Sequence, residues 1–584
     1  MGFYEGIRRS DSVIGIPPEL FDEVDRLAST WESEDKIQRL WSGDTSIWSG
    51  STEGQQLGWL RIIEKQRRNL DSLLALKRDA EDSRFERAVL LGMGGSSLCP
   101  EVLRQVFGRM SGRPDLRILD STDPAQIAAT EKAIDYQRTL FIVSSKSGTT
   151  LESNMLARYF FERVSTEFGS DVGDRFVAVT DPGSPLDEIA VTRKFRHVFH
   201  GWPNIGGRFS ALSNFGLVPA AVMGLDISRF LDRAEVMRAR CGATTPVREN
   251  PAAMLGLILG AAAKEGRDKI TFIASRSIRS FGAWLEQLLA ESTGKGGTGL
   301  VPVNGEVLRY PELYGEDRCF VYLRDKRAEE RDQDAAVKRL EEAGFPVVHL
   351  SLTDSYELGG EFFRWEFATA VVGAILGINP FDQPDVEESK VRARRFTQTY
   401  ERGGEFPNEK PLACEGNILV YGSTSTGEAS EKGGTGPSVT QVVAWHLRKI
   451  VPGDYVGLMA YLERSQEHVK MVEGIRDVVR CRLRVATCAD FGPRFLHSTG
   501  QLHKGGPNTG VFFQITCSDE VDISVPGEQY SFGVVKMAQA RGDFEALVNR
   551  NRRVLRVHVT GSVLKGLQQF AEIVDDAFIV NTGL

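Results

Sequence analysis

Two short stretches of the 584-residue chain carry residue types that can hold an oxyanion. The first is SSKSGTT, residues 144–150, where five hydroxyl side chains and one lysine occupy seven positions directly after the apolar run LFIV. Backbone amides and hydroxyls donate hydrogen bonds in such a loop and Lys146 adds charge, the makings of a phosphate cradle. A helix N-cap needs only one hydroxyl, so the set that includes Ser145, Ser147 and Thr150 exceeds that need. The second stretch is GMGGSSL, residues 92–98. Glycines at a strand-to-helix turn let amides approach an anion, and the helix N-terminus behind them favours negative charge. Alone, this turn also fits a dinucleotide site, with Asp120 placed as a ribose-binding acid, or a purely structural turn. Its spacing is GxGG, with serines where that fingerprint carries its third glycine.

Three further segments follow in order: NIGGRFSALSNFGL (204–217), LEQLLAESTGK (285–295) and NPFDQPDVEESK (379–390). Taken singly, Arg208 reads as a surface cation, Glu291 as a helix C-terminal carboxylate and Lys390 as one of 71 basic residues. ESTGKGG is not a nucleotide P-loop, because Leu289 stands where GxxxxGK[ST] requires glycine. LASTWES (27–33) is similar to a transaldolase strand, but no lysine precedes it at the needed place and no barrel-sized N-terminal region exists. Together with GMGGSS and SSKSGTT, the three segments resemble the signature blocks of the glucose-6-phosphate isomerase family, over roughly residues 90–390.

That resemblance implies an aldose–ketose isomerase acting on glucose 6-phosphate and fructose 6-phosphate, with no metal and no organic cofactor. It implies Glu291 as the base that removes and returns the proton, and Arg208 beside the developing enediolate. Gly95, Ser96, Ser145, Lys146, Ser147 and Thr150 would bind phosphate, and Gln287 and Gln383 the sugar hydroxyls. Lys390 would join a histidine in opening the ring. Many members carry that histidine beside a GQ pair after the glutamate block, yet GLVPVNGEVLRYPELYGED has none. The histidine in comparable surroundings is His503, in STGQLHKGGPNTG, where Gly500, Gly505 and Gly506 suggest a loop lying close to a sugar; His497 is the second choice. This segment resembles the isomerase half of bacterial transaldolase–isomerase fusions, and the family's habit of borrowing its histidine implies a homodimer. A non-catalytic sugar-phosphate regulator would have no need of Glu291, Arg208 and Lys390 together. An amidotransferase-type isomerase would need an N-terminal cysteine, and residue 2 is glycine. Acceptance of mannose 6-phosphate stays open.

These residues require sheets whose strand ends converge. Short apolar runs at 88–92, 116–120, 140–145 and 175–180 alternate with helical periodicity, the pattern of βαβ units with a parallel sheet. A second series runs through 270–275, 299–303, 319–324 and 346–351. A third is expected at GDYVGLMAYL, RCRLRVATC, GVFFQIT and RVLRVHVT. The expected architecture is therefore α/β: a helical segment (1–84), two successive doubly wound sugar-isomerase-type domains (85–245 and 246–412) and a C-terminal α/β module (413–584). The stretch 421–438, rich in Gly, Ser and Thr, reads as a mobile loop or linker. With 41% hydrophobic residues, a net charge of −8 and a pI near 5.7, the chain offers no broad basic face to nucleic acid or anionic membrane. Its longest apolar runs, 251–263 and 368–378, are too short to span a bilayer. The N-terminus has no signal-peptide core, and seven scattered cysteines without metal-like spacing point to a reducing cytoplasm.

Overall fold

The structure, a computed structural model, describes residues 4–5, 12–422 and 436–581. Most of the 421–438 stretch lies outside the described residues. Contacts divide the chain into two compact units. Unit 1 comprises Met1–Asp120, Ala133–Leu308 and Asp317–Gln383; unit 2 comprises Ser121–Lys132, Arg309–Glu316 and Pro384–Leu584.

Near the N-terminus lie β1 (Tyr4–Glu5) and β2 (Ser12–Ile16). The first sheet of unit 1 follows, with β3 (Arg87–Gly92), β4 (Asp115–Leu119), β5 (Thr139–Ser144), β6 (Phe176–Thr180) and β7 (His197–His200). Its order is β4-β3-β5-β6-β7 and every pairing is parallel. Strands β3, β5 and β6 are nearly continuous runs of buried apolar residues, as a sheet covered on both faces demands. The chain moves one way from β3 to β4 and the other way to β5, so the switch point lies between β3 and β5. Gly92 and Ser144 are register partners there, and GMGGSSL and SSKSGTT leave the sheet side by side. Ligands of open α/β sheets bind at such a crevice.

The second sheet contains β8 (Lys269–Ala274), β9 (Val301–Val303), β10 (Arg318–Asp325) and β11 (Val347–Leu352), in the order β1-β2-β11-β10-β8-β9. Strands β8 to β11 are parallel, whereas β2 runs antiparallel along β11. The N-terminal segment, expected to be helical, is mostly so. The segment is helical over Pro18–Ser33, Lys36–Ser42, Ile62–Arg68 and Leu70–Asp82, where Leu73, Leu76 and Ala80 face inward, and it also supplies β1 and β2. Short strands such as β2 lack the length to stand out as a period.

Both sheets of unit 1 share one continuous apolar core. Helices Pro251–Lys264 and Leu358–Leu376 run through it, packed on each other and buried almost all round, which explains the two longest apolar runs. No described helix is long and apolar enough to cross a membrane. The second helix carries Glu366, fully buried, and burial pushes its carboxyl well above the usual range. An acid raised in the folded state keeps its full stability contribution below its unfolded pKa and loses it as pH climbs towards the folded value. Glu366→Gln removes that loss. The unfolding midpoint of the variant is expected to rise by about 2–4 °C at pH 7 and to match the parent near pH 4, as melting curves across pH will report.

Unit 2 builds a third sheet on its own core. Its strands are β12 (Ala413–Glu415), β13 (Ile418–Gly422), β14 (Tyr455–Tyr461), β15 (Ala486–Phe491), β16 (Gly510–Cys517) and β17 (Arg553–Val559), in the order β12-β13-β17-β16-β14-β15. Strands β14 to β17 are parallel and repeat the reversal of the first sheet, while β13 is antiparallel to β17. The stretch RCRLRVATC, expected as one strand, is not one. A helix, Gln466–Leu483, runs into it and ends at Arg484, whose φ of 56° turns the chain before β15 begins.

Candidate active site

Unit 1 brings three elements together. The turn Gly94–Ser96 follows β3, the turn Gly207–Phe209 carries Arg208, and both pack against the helix Phe281–Thr293 that carries Gln287 and Glu291. Gly95 is required by close approach: a Cβ there would stand 1.9 Å from the carbonyl oxygen of Gly207. Any side chain at 95 would push away the turn that aims Arg208.

Arg208 is the centre of the arrangement. Its side chain is 2% exposed. Nε donates to Ser292 Oγ at 2.7 Å and Nη1 to Gln383 Oε1 at 2.9 Å. Nη2 donates to the carbonyls of Pro380 (2.7 Å) and Asp382 (2.9 Å). Nη1 also lies 3.4 Å from Glu291 Oε1, which uses the last of the five guanidinium donors. Burial lowers the Arg208 pKa, and Glu291 and Asp382 oppose that shift. An arginine remains charged even so. The other carboxylate oxygen of Glu291, Oε2, accepts from Gln287 Nε2 at 3.0 Å. The carboxylate is thus oriented from both sides, with its side chain still 13% exposed.

Sequence reasoning missed Lys295 and Ser292. Lys295 Nζ donates to the carbonyl of Asn379 at 2.8 Å, pairs with Asp382 Oδ1 at 2.7 Å and also binds the Asp382 carbonyl. It therefore fixes the NPFDQ loop that supplies three of the acceptors of Arg208. Burial, with Arg208 nearby, pushes its pKa down to about 8. The signal is present in ESTGK, one turn beyond Glu291, but there it reads only as the lysine of a failed P-loop.

In the loop after β5, Thr150 occupies the N-cap of helix Leu151–Phe168 without capping it. Its Oγ1 instead accepts from Ser145 Oγ at 3.0 Å, and Ser147 and Thr149 hydroxyls meet at 2.8 Å. Gly148, at φ 66°, folds the loop back, and Asn154 Nδ2 holds its carbonyl at 3.0 Å. A cap does not account for these hydroxyls. Lys146 is paired with Asp181, so its charge is partly neutralised within the loop.

The remaining candidates lie in unit 2. Lys390 sits on helix Glu387–Gly403, 44% exposed, 3.4 Å from Glu387. His503 is in a helix, Gly500–Gly505, rather than a loop, and is buried between Tyr455 and Phe512 with ring centroids at 6.1 and 4.8 Å. Neither ring nitrogen has a hydrogen-bond partner among the described residues. Burial, then Lys504 and Arg552, drive its pKa well down and keep it neutral. His497 ends the short turn Arg494–His497.

Residues 80–309 match the family model of phosphoglucose isomerase. Over 372 residues the chain is 29% identical to a probable glucose-6-phosphate isomerase of Methanococcus maripaludis, covering 57% of this chain and 83% of that one. The glucose-6-phosphate isomerase of Thermus thermophilus is 29% identical over 385 residues, covering 59% and 90%. Among solved structures, a hypothetical protein of Thermus thermophilus superposes with a TM-score of 0.56 at 25% identity, covering 65% of this chain and 99% of that one. A glucose-6-phosphate isomerase of Chlamydia trachomatis, at 23% identity and a TM-score of 0.50 over 64% and 79%, shares the fold. In its motifs, its sheets and these matches, the chain resembles phosphoglucose isomerase, with the family model matched over residues 80–309.

Proposed function

We propose that this chain interconverts glucose 6-phosphate and fructose 6-phosphate by moving a proton between C2 and C1 through an enediolate. The observation that carries the reading is the Glu291 carboxylate held between the Gln287 amide and the Arg208 guanidinium. Arg208 has four short contacts, and the long one, 3.4 Å, is to Glu291. When Glu291 takes the proton from C2 it becomes neutral, and the negative charge moves to the substrate oxygen. Arg208 then faces one negative charge before and after transfer, so a low-dielectric site is spared a change in net charge. The hydroxyl proton passes from O2 to O1, and returning the carbon-bound proton to C1 then completes the ketose and restores the carboxylate.

The hydroxyls of Ser96, Ser145, Ser147 and Thr150 are assigned to the phosphate, supported by their place at the switch point of the first sheet. Ser147→Ala with Thr150→Ala is expected to raise KM for fructose 6-phosphate at least tenfold with kcat little changed, since each charge-assisted bond is worth about 1.5–3 kcal/mol. Gln287 and Gln383 are assigned to the sugar through the face they leave beside Glu291 and Arg208. Ring opening is assigned to Lys390 and His503. His503→Ala is expected to slow turnover of cyclic substrate at least tenfold more than exchange of the C2 proton in an open-chain analogue. Equal losses on both substrates, with a lowered melting point, would return His503 to a packing role. We assign the chain to the cytoplasm as a homodimer; its seven unpaired cysteines suit a reducing compartment. The decisive measurement is a coupled assay of fructose 6-phosphate conversion on the purified chain, with mannose 6-phosphate beside it. No conversion of fructose 6-phosphate would remove the reading.

A further inference from the structure

Unit 2 repeats the strand reversal of the first sheet, with its own switch point between β14 and β16. There the crevice is filled by the chain itself. Thr122 Oγ1 donates to Gln539 at 2.8 Å, Asp123 pairs with buried Lys536 at 2.7 Å, and Gln126 accepts from the amide of Arg464 at 2.9 Å. One strand over, at the carboxyl ends of β16 and β17, a cavity of about 360 Å³ opens between the sheet and the helix Phe532–Asn549. That volume falls within the ~300–1,000 Å³ of small-molecule sites.

Its walls differ in charge. On one side Arg541 and Arg556 both bind the single carboxylate of Glu409. Two guanidiniums on one carboxylate leave a net positive charge. Arg556 is 3% exposed, and its guanidinium stands 4.4 Å from the ring centroid of Tyr421. Arg556 Nη1 and Arg541 Nε are buried and have no acceptor among the described residues, although both groups line the cavity. A buried, unanswered cationic donor is costly, and an anion is the ligand that answers it. On the other side stand acceptors. Asp522 takes the amide of Gly533 at 2.9 Å and the hydroxyl of Ser531, and Asp519 pairs with Lys536. Between the walls lies His558, whose ring nitrogens meet Thr516 Oγ1 at 2.9 Å and Ser518 Oγ at 3.2 Å. Burial, then Arg556 and Arg541, hold its pKa down to about 4, so it stays neutral and binds hydroxyls. A ligand with anions at both ends would be repelled by Asp519 and Asp522; one with a single anionic end and hydroxyls along the rest fits both walls.

We propose that this cavity is a second, non-catalytic binding site for a small phosphorylated polyol, with phosphate on Arg541 and Arg556 and hydroxyls towards Asp519 and Asp522. A site of this kind would let the sugar-phosphate pool act on the chain away from Glu291.

The test is isothermal titration of the full chain with sorbitol 6-phosphate, which cannot be isomerised. Two equivalents per chain are expected. Arg556→Gln, and separately Val534→Trp to fill the cavity, should each remove one equivalent or weaken it roughly ten- to hundredfold while turnover is unchanged. Ser147→Ala with Thr150→Ala should remove the other. If the wild type binds a single equivalent that survives both cavity variants, or if a second equivalent survives them, the proposal is overturned. A single equivalent lost in the cavity variants and kept in the Ser147/Thr150 variant would uphold it, and would overturn the phosphate assignment in unit 1 instead. Should Arg556→Gln fail to fold, Val534→Trp decides alone.

Discussion

Glu291→Gln is expected to reduce turnover of fructose 6-phosphate by roughly a hundredfold to ten-thousandfold or more while sugar-phosphate binding persists within a few-fold. The amide is nearly the size of the carboxylate, and its oxygen can still accept from Gln287, which now donates to Glu291 Oε2 at 3.0 Å. It has no basic lone pair able to take a carbon-bound proton, and general-base catalysis is worth roughly 10²–10⁴. One electrostatic change follows as well. Without the Glu291 charge, Arg208 keeps only neutral acceptors and the more distant Asp382 side chain, so it meets an anionic ligand with a less compensated charge. Inhibition by a non-isomerisable sugar phosphate should therefore stay the same or tighten. Turnover above about a tenth of the parent, or loss of inhibitor binding in parallel with turnover, would remove Glu291 from the role of base.

Arg208→Lys is expected to cost both activity and stability, and more of each than the nominal conservation of charge suggests. A lysine has three donors around one nitrogen and cannot serve Ser292, Gln383 and the carbonyls of Pro380 and Asp382 together. At least one of these four acceptors would be left unanswered, at about 1–3 kcal/mol. Turnover should fall at least roughly a hundredfold, because an oxyanion donor lost from a closed site costs on that order. The unfolding midpoint should drop by several degrees. If Arg208→Lys keeps the parent melting point while losing activity, Arg208 is acting on substrate alone; if it keeps activity, the enediolate is stabilised elsewhere.

Sheet strands of unit 1 are legible in the sequence because buried parallel strands are short, uniformly apolar and punctuated by helical period. β3 to β6 and β8 to β11 fall within a residue or two of the apolar runs. β2, β12 and β13 are not legible, since strands of three to five residues carry too few positions to establish a period. RCRLRVATC misleads because helix C-terminus and strand start abut with little more than Arg484 between them. The active-site motifs can be named from local composition, but their wiring cannot. Arg208 is bonded to residues 84 to 175 positions away, and no local pattern predicts that Lys295 secures those acceptors. His503 illustrates the reverse error. Its flanking glycines read as an open loop, whereas it sits in a helix, enclosed by Tyr455 and Phe512.

The segment 121–132, built into unit 2 although it leaves the ribosome with the strands of the first sheet, sets an order of events in synthesis. Asp123 meets Lys536 only after 413 further residues have been added. Until then a helix, Pro124–Lys132, waits beside strands it does not belong to, and unit 1 must close its sheet with that excursion held outside it. Domains usually fold as units from the N-terminus during synthesis. Here a chain released early cannot complete unit 2, and a fragment beginning at Pro384 lacks Asp123, one of the two carboxylates that pair with buried Lys536. Dissection of the two units into separate polypeptides therefore calls for transplanting both the 121–132 and the 309–316 segments, not a single cut.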